Sequence, residues 1–263
     1  MPRFAANLTL LFNELPFLER FGAAAQVGFR GVEYLFPYPY PAEQLAERLG
    51  QYGLTQVLHN LPAGDWAAGE RGIACLPGRE DEFQAGVEMA LRYARILGCG
   101  QLNCLAGIAP QGVAPEVIRE TFIRNLRFAA AALGQEGIRL LIEPINTFDM
   151  PGFYLNRTAQ AKALIEAVGS DNLFLQYDVY HAQRMEGELA ATLQRCLPLI
   201  GHIQVADNPG RHEPGTGEIH YPYLFGLLDT LGYAGWVGAE YHPRTTTAVG
   251  LGWLACYPPA VGL

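Results

Sequence analysis

The chain has 263 residues, half of them hydrophobic and 17% charged, with a formal net charge of −8. This composition excludes a disordered chain. The acidic balance speaks against nucleic acid and anionic membrane as partners, since both require a basic patch to displace counterions; a small anionic substrate needs only one or two well-placed cations.

The first run, "FAANLTLLF" (4–12), reads as a strand. Asn7, Asn13 and Glu14 break it up, and it is too short for a signal peptide or a membrane span, so a cytoplasmic location is expected. Seven more short apolar runs follow: "GVEYLF" (31–36), "LTQVLHN" (54–60), "QLNCLAG" (101–107), "RLLIEP" (139–144), "LFLQYD" (173–178), "IGHIQVAD" (200–207) and "GWVGAEY" (235–241). Helical patterns separate them. "REDEFQAGVEMALRYARILG" and "PEVIRETFIRNLRFAAAALGQEG" carry apolar residues at i, i+3 and i+4. Several patterns stop at a glycine, namely Gly28, Gly53, Gly98, Gly137 and Gly232, a common helix terminator. The five cysteines, Cys75, Cys99, Cys104, Cys196 and Cys256, are odd in number and contain no CxxC pair, so they read as reduced thiols.

Strand–helix alternation implies parallel pairing with helices over the sheet. Eight such units in roughly 250 residues close naturally into a (β/α)8 TIM barrel. A dinucleotide-binding open sheet would carry GxGxxG in its first βα turn, and the turn here has no glycine. No linker interrupts the chain, so residues 1–263 read as one α/β barrel domain. The irregular stretch "LPAGDWAAGERGIACLPG" (61–78) is expected to be a lid over the barrel mouth.

Four strands of the second half end on a metal-binding residue type: Glu143, Asp178, Gln204 and Glu240. Their spacing is one βα unit each time, which sets them on strands five to eight at the carboxyl end, where barrel enzymes hold their active sites. Any one of them alone is better read as a solvated acid. Three carboxylates in register would repel one another unless a divalent cation stood between them. The donors are all oxygen, which suits Mg²⁺ or Mn²⁺ better than Zn²⁺. Gln176 and His202 share the faces of Asp178 and Gln204 one layer deeper, as supports. His59 ends strand three, His181 opens the helix after Asp178, and Arg211, His212, His242 and Arg244 lie near the rim.

At these residues the chain resembles the hydroxypyruvate isomerase family of the xylose-isomerase-like barrels. The resemblance covers nearly the whole chain. It rests on "GFRGVEYLFPY", "LHNLPAGDWAAGERGIACLPGRE", "LLIEPIN", "QYDVYHAQRMEGEL", "HIQVADNPGRHEPGTGEI" and "GWVGAEYHP". It implies a metal-dependent isomerase that interconverts hydroxypyruvate and 2-hydroxy-3-oxopropanoate by proton transfer through an enediolate. The family's two proton-carrying glutamates fall on Glu143 and Glu240, and its metal positions on Glu143, Asp178, Gln204 and Glu240. The resemblance also assigns His181 and Arg211 to substrate oxygens. Arg211 is the first choice for the substrate carboxylate and Arg71, in the expected lid, the second; His59 completes the substrate-binding set. Two positions depart from the family pattern: His242 stands where lysine is usual, and His220 where asparagine is expected.

Three other functions compete. A 2-oxo-tetronate isomerase or a ketose 3-epimerase would use the same chemistry, and an inactive small-molecule-binding barrel would use none. The abasic-site endonucleases of this fold need a histidine-rich zinc site and a basic face, which this chain lacks. The reading allows a homo-oligomer.

Overall fold

The computed structural model describes residues 1–257. Eight parallel strands close into a barrel in chain order. They are β1 (Arg3–Asn7), β2 (Gly31–Glu33), β3 (Thr55–Asn60), β4 (Gln101–Cys104), β5 (Arg139–Ile142), β6 (Leu173–Asp178), β7 (Ile200–Val205) and β8 (Trp236–Ala239). Closure is made by β1 on β8, with Ala5 opposite Gly238 and Ala6 opposite Ala239. The α/β barrel expected from the strand–helix alternation is thus the observed fold. Its strands are shorter than the apolar runs: the first ends at Asn7, and residues 8–12 turn instead.

The outer layer holds α1 (Phe17–Gln26), α2 (Ala42–Tyr52), α3 (Glu80–Leu97), α4 (Pro115–Gln135), α5 (Thr158–Val168), α6 (Val179–Met185), α7 (Leu189–Cys196), α8 (Tyr221–Thr230) and the short α9 (Thr247–Gly250). Helix α3 illustrates why these segments form. Phe83, Val87, Ala90, Leu91, Ala94 and Leu97 recur at helical spacing and are buried against the barrel, each worth about 1.5–3 kcal/mol for the larger side chains. Glu80, Asp81 and Glu82 face the positive end of the helix dipole, and Gly98 ends the helix at φ 63°. Among the described residues no helix is long and apolar enough to cross a membrane.

Inside the barrel the side chains are layered. A small apolar cluster of Ala5, Val57, Leu58 and Leu141, with Phe174 and Trp236 against it, is separate from the main helix–sheet core. On the strands' carboxyl side of this plug the barrel interior turns polar. Within the segment 61–78, Trp66 packs edge-on against Phe36 at 5.1 Å.

Candidate active site

Every strand delivers a polar side chain to the carboxyl end. Asn7, Glu33, Asn60 and Asp178 are the last residues of β1, β2, β3 and β6, and Asn103 and Gln204 are next to last in β4 and β7. Glu143 and Glu240 follow the last residues of β5 and β8. All eight are buried. Six of them, Asn7, Glu33, Asn60, Glu143, Gln204 and Glu240, line a cavity of about 290 Å³ together with His181 and Arg211, with Trp66, Leu105, Ile145 and Met150 on its apolar side.

The four residues singled out by spacing do come together. Glu143 accepts a hydrogen bond from Asn103 Nδ2 at 3.0 Å. Asp178 caps α6: its Oδ1 accepts from the backbone N–H of Tyr180 at 2.7 Å and of His181 at 3.1 Å. The Arg211 guanidinium lies 3.4 Å from Glu240 Oε1 and 3.9 Å from Asp178 Oδ2. His181 Nε2 is 3.8 Å from both Glu143 Oε1 and Asp178 Oδ2. Arg211 reaches the cavity from a residue at φ 56°, in the sparsely populated left-handed region that costs a side-chain-bearing residue about 1–3 kcal/mol.

Crowding of buried acids sets the electrostatics. Burial raises Glu143 well above the usual carboxylate range, and the charges of Glu240 and Asp178 add to the effect. Glu240 is pushed to about 8, again first by burial and then by Asp178 and Glu33, with Arg211 pulling the other way. Asp178 is raised by burial, against the pull of Arg211 and its two backbone donors. The three therefore share protons as one set. Burial opposes the charge on Arg211, but Glu240, Asp178 and Glu143 outweigh it and raise its pKa. His181 is driven well below 6.5 by burial and by Arg211, so it is neutral at physiological pH.

These residues fit a divalent cation. Asp178 Oδ2 is buried without any hydrogen-bond partner, although its twin Oδ1 has two. A bare carboxylate oxygen facing other acids is costly unless a cation completes it. Glu143, Asp178 and His181 each offer a ligand atom, all within 4.8 Å of one another.

The layer below the acids is a connected network that the spacing argument only half anticipated. Gln176 and His202 sit there as expected. Gln176 serves Gln204, and His202 serves a residue that was not singled out, Glu33. Glu33 accepts from His202 Nε2 at 2.7 Å, from Gln204 Nε2 at 2.8 Å and from Asn7 Nδ2 at 3.2 Å. Gln204 Oε1 accepts from Gln176 Nε2 at 2.6 Å, which leaves it one lone pair. A Cβ at Gly238 would collide with the Glu33 carboxylate, so the glycine makes its room.

Two expected substrate contacts are not where the sequence reading set them. His59 faces the helices, where it is fully buried, lies edge-on to Tyr38 at 6.0 Å and is held neutral by burial, with a pKa of about 4. Strand alternation turns its neighbour Asn60 to the cavity instead. Arg71 stacks over Trp66 at 4.2 Å and donates to the Trp66 and Glu70 carbonyls. It touches the cavity only through that indole. His242 does line the cavity, at its mouth, whereas His212 is bonded to the His242 carbonyl.

A family model described as "Xylose isomerase-like TIM barrel" matches residues 21–256. The chain is 58% identical to hydroxypyruvate isomerase of Escherichia coli (strain K12) over 98% of its length and 100% of that protein's. The chain belongs to the hydroxypyruvate isomerase family of xylose isomerase-like TIM barrels. It is also 52% identical to a 2-oxo-tetronate isomerase of Cupriavidus necator, over 98% of this chain and 99% of that one. Among solved structures, one titled AP endonuclease, family 2, from Brucella melitensis superposes with a TM-score of 0.96 at 50% identity, covering 98% of this chain and 100% of its own. The family read from the sequence motifs is borne out.

Proposed function

We propose that the protein interconverts hydroxypyruvate and 2-hydroxy-3-oxopropanoate by moving a proton between C3 and C2. The observation that carries this reading is the pair of buried glutamates, Glu143 and Glu240, on one cavity with Arg211. Burial raises both carboxyls, Glu143 well above the usual carboxylate range and Glu240 to about 8, and a carboxyl group raised in this way can both take and return a proton.

One glutamate, ionised, removes a proton from C3 of hydroxypyruvate. The electron pair left behind forms the C2–C3 double bond of an enediolate. The other glutamate, protonated, delivers to C2, while the O3 hydroxyl proton passes to O2, which leaves an aldehyde at C3 and a hydroxyl at C2. Arg211 meets the substrate carboxylate, and the neutral His181 offers a hydrogen bond to a substrate oxygen. The wall of Trp66 and Leu105 keeps water from the enediolate. A divalent cation held by Glu143, Asp178, Glu240 and the free lone pair of Gln204 would act as a Lewis acid and lower the cost of removing the C3 proton. With oxygen donors only, Mg²⁺ or Mn²⁺ suits it best.

A four-carbon 2-oxo-tetronate is the second reading, favoured by a cavity of about 290 Å³, roomier than a three-carbon acid requires. The nucleic-acid reading finds no support in a net charge of −8 and six histidines. The test is turnover in D₂O, followed by NMR, of enzyme chelated and then reloaded with Mg²⁺, on hydroxypyruvate, 2-oxo-tetronate and free ketoses. Hydroxypyruvate turnover with deuterium entering C2 is expected. No turnover of any of them, with no exchange of substrate hydrogen, would leave only a binding barrel.

A further inference from the structure

His181 can serve the site in two opposed ways. As a metal ligand, its Nε2 needs a lone pair; as a donor to substrate, the same atom needs a proton. The choice is made at the other ring nitrogen, Nδ1, which lies 2.7 Å from Asn146 Nδ2.

Which end of the Asn146 amide faces the ring follows from its remaining partners. Asn146 Oδ1 accepts from the backbone N–H of Phe148 at 3.1 Å and of Asp149 at 2.9 Å. A backbone N–H is only ever a donor, so that atom is the oxygen. The nitrogen therefore points the other way, with one hydrogen on Asp149 Oδ2 at 3.0 Å and the other on His181. Asp149 is in turn fixed as an acceptor by the Tyr180 hydroxyl and by Arg184, each at 2.8 Å. Asn146 is fully buried, and both its hydrogens and its oxygen are used. A hydrogen on His181 Nδ1 would meet the amide N–H head-on, which rules out both the Nδ1–H tautomer and the imidazolium.

We infer that Asn146 is a positioning residue that locks His181 as the neutral Nε2–H tautomer, making it a hydrogen-bond donor to a substrate oxygen and not a metal ligand. The donor role rests on the active-site reading above; the tautomer does not. Nε2 itself lies 3.8 Å from both Glu143 Oε1 and Asp178 Oδ2, so its proton makes no hydrogen bond to either acid. It is aimed into the space between them. Glu143, Asp178 and His181 thus lie close enough for a metal triad, yet the third member presents a proton where a ligand needs a lone pair. The cation is left to the carboxylates and Gln204.

The test reads the tautomer directly, by side-chain ¹⁵N NMR of the uniformly labelled full chain, with the His181 signals assigned by their loss in His181→Gln. The expected result is a protonated Nε2 and a bare Nδ1, unchanged when Mg²⁺ alone is added to saturation. An Nδ1–H tautomer, or loss of the Nε2 proton to Mg²⁺, overturns the inference. In Asn146→Asp one oxygen still accepts from the backbone N–H of Phe148 and Asp149, while the other, in place of the donor to Asp149 Oδ2 and His181, becomes an acceptor that draws the proton to Nδ1; the Tyr180 hydroxyl and Arg184 remain on Asp149 to offset the new carboxylate contact. His181 should then switch tautomer and Zn²⁺ should bind at least about tenfold more tightly by calorimetry, the scale on which outer groups tune metal affinity. Turnover of hydroxypyruvate should fall by about 10²-fold in kcat, as for loss of one aimed donor. An unmoved tautomer in a folded Asn146→Asp protein overturns the inference. If the tautomer is as expected and no substrate turns over, the proposed reaction fails and the positioning role stands.

Discussion

Without a divalent cation the fold should be sensitive to alkali, and Glu240 sets the size of the effect. Its carboxyl is raised from 4.5 to about 8 by burial and by Asp178 and Glu33. At about 1.4 kcal/mol for each tenfold change in proton affinity, that is roughly 5 kcal/mol of differential stability. The folded state binds the proton more tightly than the unfolded one. Stability is therefore fully present below about 4.5 and declines as pH rises towards and past 8. Because Glu143 and Asp178 share the protons, the 5 kcal/mol belongs to the set and spreads over that window. For a chain of this size about 1 kcal/mol moves Tm by roughly 2–4 °C, so metal-free protein should lose about 10 °C or more between pH 5 and 9. Differential scanning fluorimetry after chelation, with and without Mg²⁺, measures it. Saturating Mg²⁺ should flatten the curve, since the cation replaces the protons. Glu240→Gln should make it shallower without metal. A metal-free Tm that is level or rising from pH 5 to 9, or a slope that Glu240→Gln leaves intact, would refute the account of the acid cluster.

Replacing Glu143 or Glu240 by glutamine should lower kcat by at least about 10²-fold at saturating Mg²⁺, because an amide cannot carry the proton; full rescue of kcat by added metal would make both glutamates ligands only. Gln204→His should move the metal preference towards Zn²⁺ or Co²⁺, and an unchanged activation profile across Mg²⁺, Mn²⁺, Co²⁺ and Zn²⁺ would take Gln204 out of the ligand set. Glu33→Leu should cost about 3 kcal/mol or more in a urea melt, since it leaves donors of Asn7, His202 and Gln204 without an acceptor at about 1–3 kcal/mol each; a loss under 1 kcal/mol would mean that they find other partners.

The barrel was legible because its signal is periodic: eight apolar runs alternate with amphipathic helices, and that pattern survives errors of several residues at each boundary. The acidic half of the site was legible for a different reason. Three carboxylates at strand ends spaced by whole βα units have no cheap structural explanation. The first four strands end on the same kind of signal, in Asn7, Glu33, Asn60 and Asn103, but three of these are uncharged. An asparagine closing a strand is unremarkable on its own, whereas repelling charges demand an account. Assigning the third strand's contact to His59 instead of Asn60 is an error of phase. In a strand a single-residue slip exchanges the barrel interior for the helix layer, and the register shift between β2 and β3 at Val32/Glu33 leaves no mark in composition. What a sequence cannot carry is the orientation of groups that look alike from outside. Asn146 lies three residues beyond Glu143 in "IEPIN", where a polar residue opening a loop reads as a turn former, and it is one, accepting from Phe148 and Asp149. Those two turn bonds fix the oxygen end of its amide. The nitrogen end is thereby committed to His181, so the loop geometry itself decides which atom of the histidine carries the proton into the site.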